Sequence, residues 1–178
     1  NCPNSDPIHK ATIIPRGRSL GLVMRLPEKD QFSVTRAKLL DDLIVTMGGR
    51  AAEELIFGYD KVTTGAASDI EQATSMAKGM VTKWGLNDKL GPVLYHNESS
   101  PADYYQSSSS PHSDKTASLI DEEVKKIINK AIEKAKNILI DKKDDLEKLA
   151  QALLEFETLT GTQINDLLAG KDIKTELQ

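Results

Sequence analysis

Among the side chains able to carry chemistry, the three histidines, His9, His96 and His112, come first, because imidazole is the commonest metal ligand in proteins. A zinc site on a helix needs two of them about one turn apart, so that both rings project toward one ion. None of the three is spaced that way, and His96 and His112 lie in or beside a Ser-rich stretch, so they read as surface or loop residues. Nucleophiles are no better placed: Cys2 sits near a terminus, and no serine stands in a Gly-x-Ser-x-Gly turn. Gly17, Gly48 and Gly49 lack the spacing and the lysine of a phosphate-binding loop, which predicts no nucleotide binding by this chain itself.

Carboxylates remain. In "TTGAASDIEQATSMAKGMVTKWG", residues 63–85, Asp69 stands where a glycine turn passes into a helical pattern. Local physics favours a helix-start role there, because Thr64, Ser68 and Asp69 all suit a helix N-terminus and a first-turn carboxylate gains about 0.3–1 kcal/mol from the helix dipole. Glu53 and Glu54 in "RAAEELIFG" read as helix-surface carboxylates, although the small Ala51 and Ala52 mark a crowded turn in which one of the two could face inward.

The elements that must position these groups follow from periodicity and turn formers. Two short strands are predicted at about 9–14 and 19–26, around Pro15 and Gly17 and ending at Pro27. In the second, Leu20, Leu22 and Met24 would share one face and Gly21, Val23 and Arg25 the other. Ser33 is expected to cap a helix carrying Leu39, Leu40, Leu43, Ile44 and Met47, interrupted at Gly48 and Gly49. A second helix places Ala51, Ala52, Leu55 and Ile56 on one side and stops at Gly58. A third runs from Ala67 to Trp84 with Ile70, Ala73, Ala77, Met80, Val81 and Trp84 as its apolar set, and Gly85 ends it. "NESSPADYYQSSSSPHSD", residues 97–114, reads as a mobile Ser/Pro-rich loop. An amphipathic helix of about 25 residues follows, with Leu119, Ile120, Val124, Ile127, Ile128, Ala131, Ala135 and Ile138 on its apolar face. Another carries Leu146, Leu149, Ala150, Leu153 and Leu154, and Thr160 to Gln163 opens a short last one through a T-x-x-Q capping box. The fold class is therefore mainly α with a small sheet or hairpin near the N-terminus. Its segments are a core at 1–96, the loop at 97–114, a C-terminal helical part at 115–170 and a tail at 171–178.

Composition narrows the function. The chain has 178 residues, enough for one domain with a real core. Its 23 Lys and Arg are scattered among 27 Asp and Glu, for a net charge of −4, so no basic stripe for nucleic acid is present. A single cysteine forms no internal disulfide, which fits a reducing compartment, and no apolar run approaches the roughly 18 residues of a membrane span. The start at Asn-Cys-Pro rather than Met leads us to expect a piece of a longer protein, with any membrane anchor outside it.

Several longer motifs stand in one order: "DPIHKATIIPRGRSLG", Leu26-Pro27, "GGRAAEELIFG", "TTGAASDIEQAT", "MVTKWG" followed by "LGPVLY", and "IDEEV". Together, over about residues 5–170, they resemble the peptidase domain of the FtsH-type ATP-dependent zinc metalloproteases, which are membrane-anchored. In that family two histidines of a His-Glu-x-x-His helix and a distant aspartate hold zinc, and the motif glutamate is general base toward the zinc-bound water. Three protein ligands leave an open position, and the metal lowers the water's pKa toward 7. The resemblance makes Asp69 the third zinc ligand and places Glu53 beside the metal, orienting a zinc-binding histidine. It makes Leu20, Gly21, Leu22, Val23 and Met24 the edge strand on which an extended substrate pairs through its main chain. The loop at 97–114 replaces a segment that often carries a glycine-arginine element in relatives.

No His-Glu-x-x-His occurs in this sequence, and the family would place it before residue 1. Two explanations follow: a chain cut just after the motif, which we favour, or a noncatalytic ring-forming relative that has lost it. The first implies an active parent with zinc, with ATP and Mg used through an ATPase domain absent here, and a fragment that is itself inactive. It also implies a homo-hexamer, unfolded or membrane protein substrates, no nucleic acid, and a bacterial inner membrane or organelle location reached through an absent anchor. Missing its front helix, the fragment would expose the surface that helix covers, and we expect weakened stability or altered association.

Overall fold

The computed structural model describes residues 2–15, 17, 21–27, 33–95, 112–171 and 173. It is mainly helical with a small antiparallel sheet, in the order β1 (Ile8–Thr12), β2 (Leu22–Arg25), α1 (Arg36–Thr46), α2 (Gly48–Phe57), α3 (Ala67–Thr82), α4 (Asp114–Asp141), α5 (Lys143–Phe156), β3 (Thr158–Thr160) and α6 (Gly161–Leu168). Short 3-10 turns at Tyr59–Lys61 and Thr64–Ala66 lie between α2 and α3. The chain divides into two compact units, one of residues 3–34 with 138–178 and one essentially of Thr35–Asn137.

In the first unit the sheet order is β2-β1-β3. The two N-terminal strands pair as the sequence pattern requires, though over shorter spans than expected, and a register shift lies between Ile8 and Lys10. Strand β3 comes from the far end of the chain, pairs Ala11 with Leu159, and was not expected from sequence. Three residues, Thr-Leu-Thr, are too few to show an alternating pattern. Thr12 anchors the crossing twice: its hydroxyl donates to the Glu157 carbonyl at 3.1 Å and lies 2.7 Å from the Thr158 hydroxyl. The small core beneath joins Ala11, Ala152, Leu159 and Ile164 with Leu149, Leu153 and Phe156. The predicted capping box at the start of α6 forms, with Gln163 N–H donating to Thr160 Oγ1 at 3.2 Å and Thr160 N–H to Gln163 Oε1 at 2.9 Å.

In the second unit α1 packs on α2 and α3. Helix α1 is capped by Thr35, extended at ψ 155°, whose side chain accepts Lys38 N–H; Ser33 lies two residues too early for that role. Gly48 and Gly49 do not interrupt the chain as expected but open α2, because buried Met47 serves at once as the last cap of α1 and the first of α2. Helix α3 ends at Thr82, two residues earlier than expected, where Lys83 N–H and Trp84 N–H both donate to the Gly79 carbonyl. Its buried residues are Ala73, Ala77, Met80 and Val81, whereas Ile70 and Trp84, expected on the apolar face, are exposed. The Trp84 indole folds back over Gly79, where an added Cβ would fall 2.7 Å from its ring. Ala77 and Val81 meet Val124 of α4 and Leu90, with Ile120, Ile127 and Tyr95 packed around them. Helix α4 runs 28 residues, close to the length read from its apolar repeat. Most of the loop expected at 97–114 lies outside the described residues.

Candidate functional site

Asp69 is the third residue of α3, in its first turn. The N-cap position belongs to Ala66, which makes no side-chain cap bond, so Asp69 complements the helix dipole without occupying the cap. Its carboxylate is half-buried, and among the described residues no hydrogen bond or ion pair engages it. An oxygen donor kept partly from water and left unclaimed is what a metal ligand requires before its metal arrives.

The turn before Asp69 is built with side-chain hydrogen bonds. Thr63, extended at ψ 177°, accepts Gly65 N–H on its hydroxyl at 3.1 Å and so caps the 3-10 turn Thr64–Ala66, whose last residue is buried and continues directly into α3. The Thr63 N–H donates to Glu53 Oε1 of α2 at 2.9 Å. One turn earlier on α2, Gly49 faces the same place, for a Cβ added there would lie 3.8 Å from Asp69 Oδ2. The structure thus brings Glu53 and Asp69 to one locality, joined through Thr63. Sequence reasoning missed Thr63 and Gly49. The Thr-x-Gly pattern of a hydroxyl turn was a readable signal for the first; for the second, nothing in α2 alone tells which face meets α3.

The neighbouring Glu54 serves structure, its Oε1 pairing with Lys136 Nζ of α4 at 2.7 Å. Of the histidines, His9 is exposed on β1, His96 lies outside the described residues, and His112 joins its ring to the Tyr95 carbonyl and packs edge-on to the Tyr95 ring. No cluster of three or more His, Cys, Asp or Glu able to hold a metal occurs among the described residues. Asp69 can offer one oxygen to a metal, and no group of ligands stands with it among the described residues. A groove of about 800 Å³ lined by Met76, Trp84, Tyr95, His112 and Ile120 holds no such set either.

A second acidic centre is electrostatic. Glu123 of α4, buried, accepts from Asn87 Nδ2 at 2.9 Å and pairs with Lys89 at 2.8 Å. The Asn87 bond first, then the Lys89 bond, hold its carboxyl down to about 2 against burial, which acts the other way. Asn87 in turn accepts the backbone N–H of Lys89 and Leu90, so this group ties α4 to the loop after α3.

In the other unit, Leu22, Val23 and Met24 lie on β2, with Gly21 immediately before it and Leu20 outside the described residues. Among the described residues β2 is an edge strand, paired with β1 on one side, and Val23 is 59% exposed. At Gly21 a Cβ would come 2.9 Å from the Thr12 carbonyl oxygen, so the chain enters the strand against its neighbour's backbone.

The family model for Peptidase family M41 matches residues 1–167. The chain belongs to that family. It is 57% identical over 176 residues to the ATP-dependent zinc metalloprotease FtsH of Rickettsia bellii, covering 98% of this chain and 27% of that protein. Against the protein of the same name from Neorickettsia risticii it is 58% identical over 167 residues, covering 94% of this chain and 25% of the relative. The corresponding figures for that of Caulobacter vibrioides are 48% over 178 residues, 99% and 28%. The chain thus spans about a quarter of the length of these curated relatives. No helix among the described residues is long and apolar enough to cross a membrane.

Proposed function

We propose that the chain is the larger part of the zinc-endopeptidase domain of an ATP-dependent, membrane-anchored protease, and that Asp69 is its third zinc ligand. The observation that carries this is the half-buried, unclaimed Asp69 carboxylate at the start of α3, held by a hydrogen-bonded turn. The two remaining ligands and the general base belong to a His-Glu-x-x-His segment that this sequence does not contain. The chemistry zinc supplies when bound is Lewis acidity, which polarises a peptide carbonyl and acidifies a water. Asp69 contributes one anionic oxygen and a fixed direction of approach. Glu53 and Thr63 keep that oxygen from swinging with its turn.

Extended substrate pairs with the free edge of β2 at Leu22, Val23 and Met24, through main-chain hydrogen bonds that tolerate many side chains. That tolerance suits unfolded or membrane proteins fed as extended chain. ATP and Mg act in a separate ATPase part of the whole protein, which works as a homo-hexamer at a bacterial inner membrane with its peptidase on the cytoplasmic side. The chain by itself is inactive.

The test is metal analysis of the full-length protein carrying this chain. Asp69→Asn is expected to drop bound zinc from stoichiometric to a small fraction and to abolish cleavage of an unfolded reporter protein. Retention of full zinc and activity would end the assignment of Asp69. The isolated chain is expected to take up no stoichiometric zinc.

A further inference from the structure

Resting on that reading of Asp69, we propose that Glu53 is the positioning residue of the aspartate: its carboxylate pins the turn that delivers the ligand, by accepting the Thr63 N–H. The resemblance placed Glu53 beside a histidine. The hydrogen bond it makes runs to the turn that precedes Asp69. Glu53 Oε1 lies 2.9 Å from Thr63 N, and the contact spans ten residues, joining the second turn of α2 to the start of the Asp69 segment. A carboxylate that accepts a backbone N–H makes a charge-assisted bond, roughly twice as strong as a neutral one. From Thr63 the order passes by short steps to the ligand. The Thr63 hydroxyl accepts Gly65 N–H, the Thr64–Ala66 turn closes, buried Ala66 fixes its end, and Asp69 follows three residues on.

The same face of α2 carries Gly49 four residues before Glu53, and a Cβ added there would stand in ordinary contact with Asp69 Oδ2, at 3.8 Å, so this face of the helix lies against the Asp69 carboxylate. Glu53 Oε2 has no partner among the described residues, so the carboxylate carries this load on one oxygen and keeps the second for another donor.

The experiment compares the full-length protein with its E53A, E53Q and D69N variants. Zinc affinity is measured by competition with a chelating dye, and hydrogen–deuterium exchange is followed in the peptide covering residues 59–70. E53A is expected to weaken zinc binding by about tenfold to a hundredfold and to speed exchange at Thr63. E53Q, whose amide oxygen still accepts the N–H through a weaker, neutral bond, is expected to restore most of both. A role exerted through the carboxylate's charge would not separate the two variants in this way, since both remove the charge, and a merely structural bond would change exchange at Thr63 without changing zinc affinity. An E53Q as poor in zinc as E53A would overturn the proposal, and so would an E53A with unchanged exchange at Thr63. Full zinc affinity in D69N would instead remove the reading of Asp69 on which it rests, and is distinguished because D69N leaves Glu53 and Thr63 intact.

Discussion

Glu157 holds φ at 58°, the one described non-glycine residue with a positive value. The left-handed region crowds Cβ against the backbone, at about 1–2 kcal/mol for an L-residue. The surroundings impose it: Glu157 N–H closes α5 on the Leu153 carbonyl, while its own carbonyl receives Ile13 N–H and the Thr12 hydroxyl. Glu157→Gly is therefore expected to raise unfolding stability in urea by about 1 kcal/mol, and a variant less stable than wild type would show that the side chain contributes more than its strain costs. Four residues on, Gly161 opens α6 against β1, where an added Cβ would overlap the Ile8 carbonyl oxygen. Backbone cannot yield as a flexible side chain does, so Gly161→Ala is expected to lower stability by about 1–3 kcal/mol or more in the same measurement. Asp69 shows what residue type conveys and what it does not. Its place at a helix start was legible from Thr, Gly and Ser around it, but that no donor among the described residues claims its carboxylate follows from neighbours distant in sequence.

At the scale of elements, the tie between α4 and the loop after α3 depends on ionised Glu123. Its folded carboxyl is held at about 2 against an ordinary 4.5, so the contribution is present above 4.5 and is lost as pH falls from 4.5 toward 2. Unfolding midpoints measured between pH 6 and 2.5 are expected to drop in that window more for wild type than for Glu123→Gln. Parallel curves would exclude the group as the cause. Lys89, whose pKa the same contact raises, stays charged throughout this range. Helix existence was readable in advance because α3, α4 and α5 repeat apolar residues at the helical period. Their ends were less so. The joint of α1 and α2 falls at Met47 because a buried methionine fits between the packed helices, a circumstance invisible to rules that treat glycine as the breaker.

At the scale of the whole chain, the sheet is the least local structure. Strand β1 is central only because β3 returns to it from 146 residues away. Truncation after Phe156 is expected to remove that partner and speed amide exchange at Ala11 and Ile13 well beyond the effect on α3, measured by exchange with mass spectrometry. Equal protection in the truncated chain would mean that the β1–β2 hairpin sustains itself, which isolated two-stranded hairpins do only marginally. By itself the sequence determined the helices with strong apolar repeats, the capping box at Thr160, the two N-terminal strands, and, through ordered motifs, membership of the peptidase family. These are properties of local spacing and residue type, and a linear pattern carries them. Only the tertiary structure decided that β3 completes the sheet, that Glu53 takes Thr63 rather than solvent, and that Gly49 lies against Asp69. Each depends on which faces meet once the chain has closed over tens of residues, and no single element's periodicity records its neighbour.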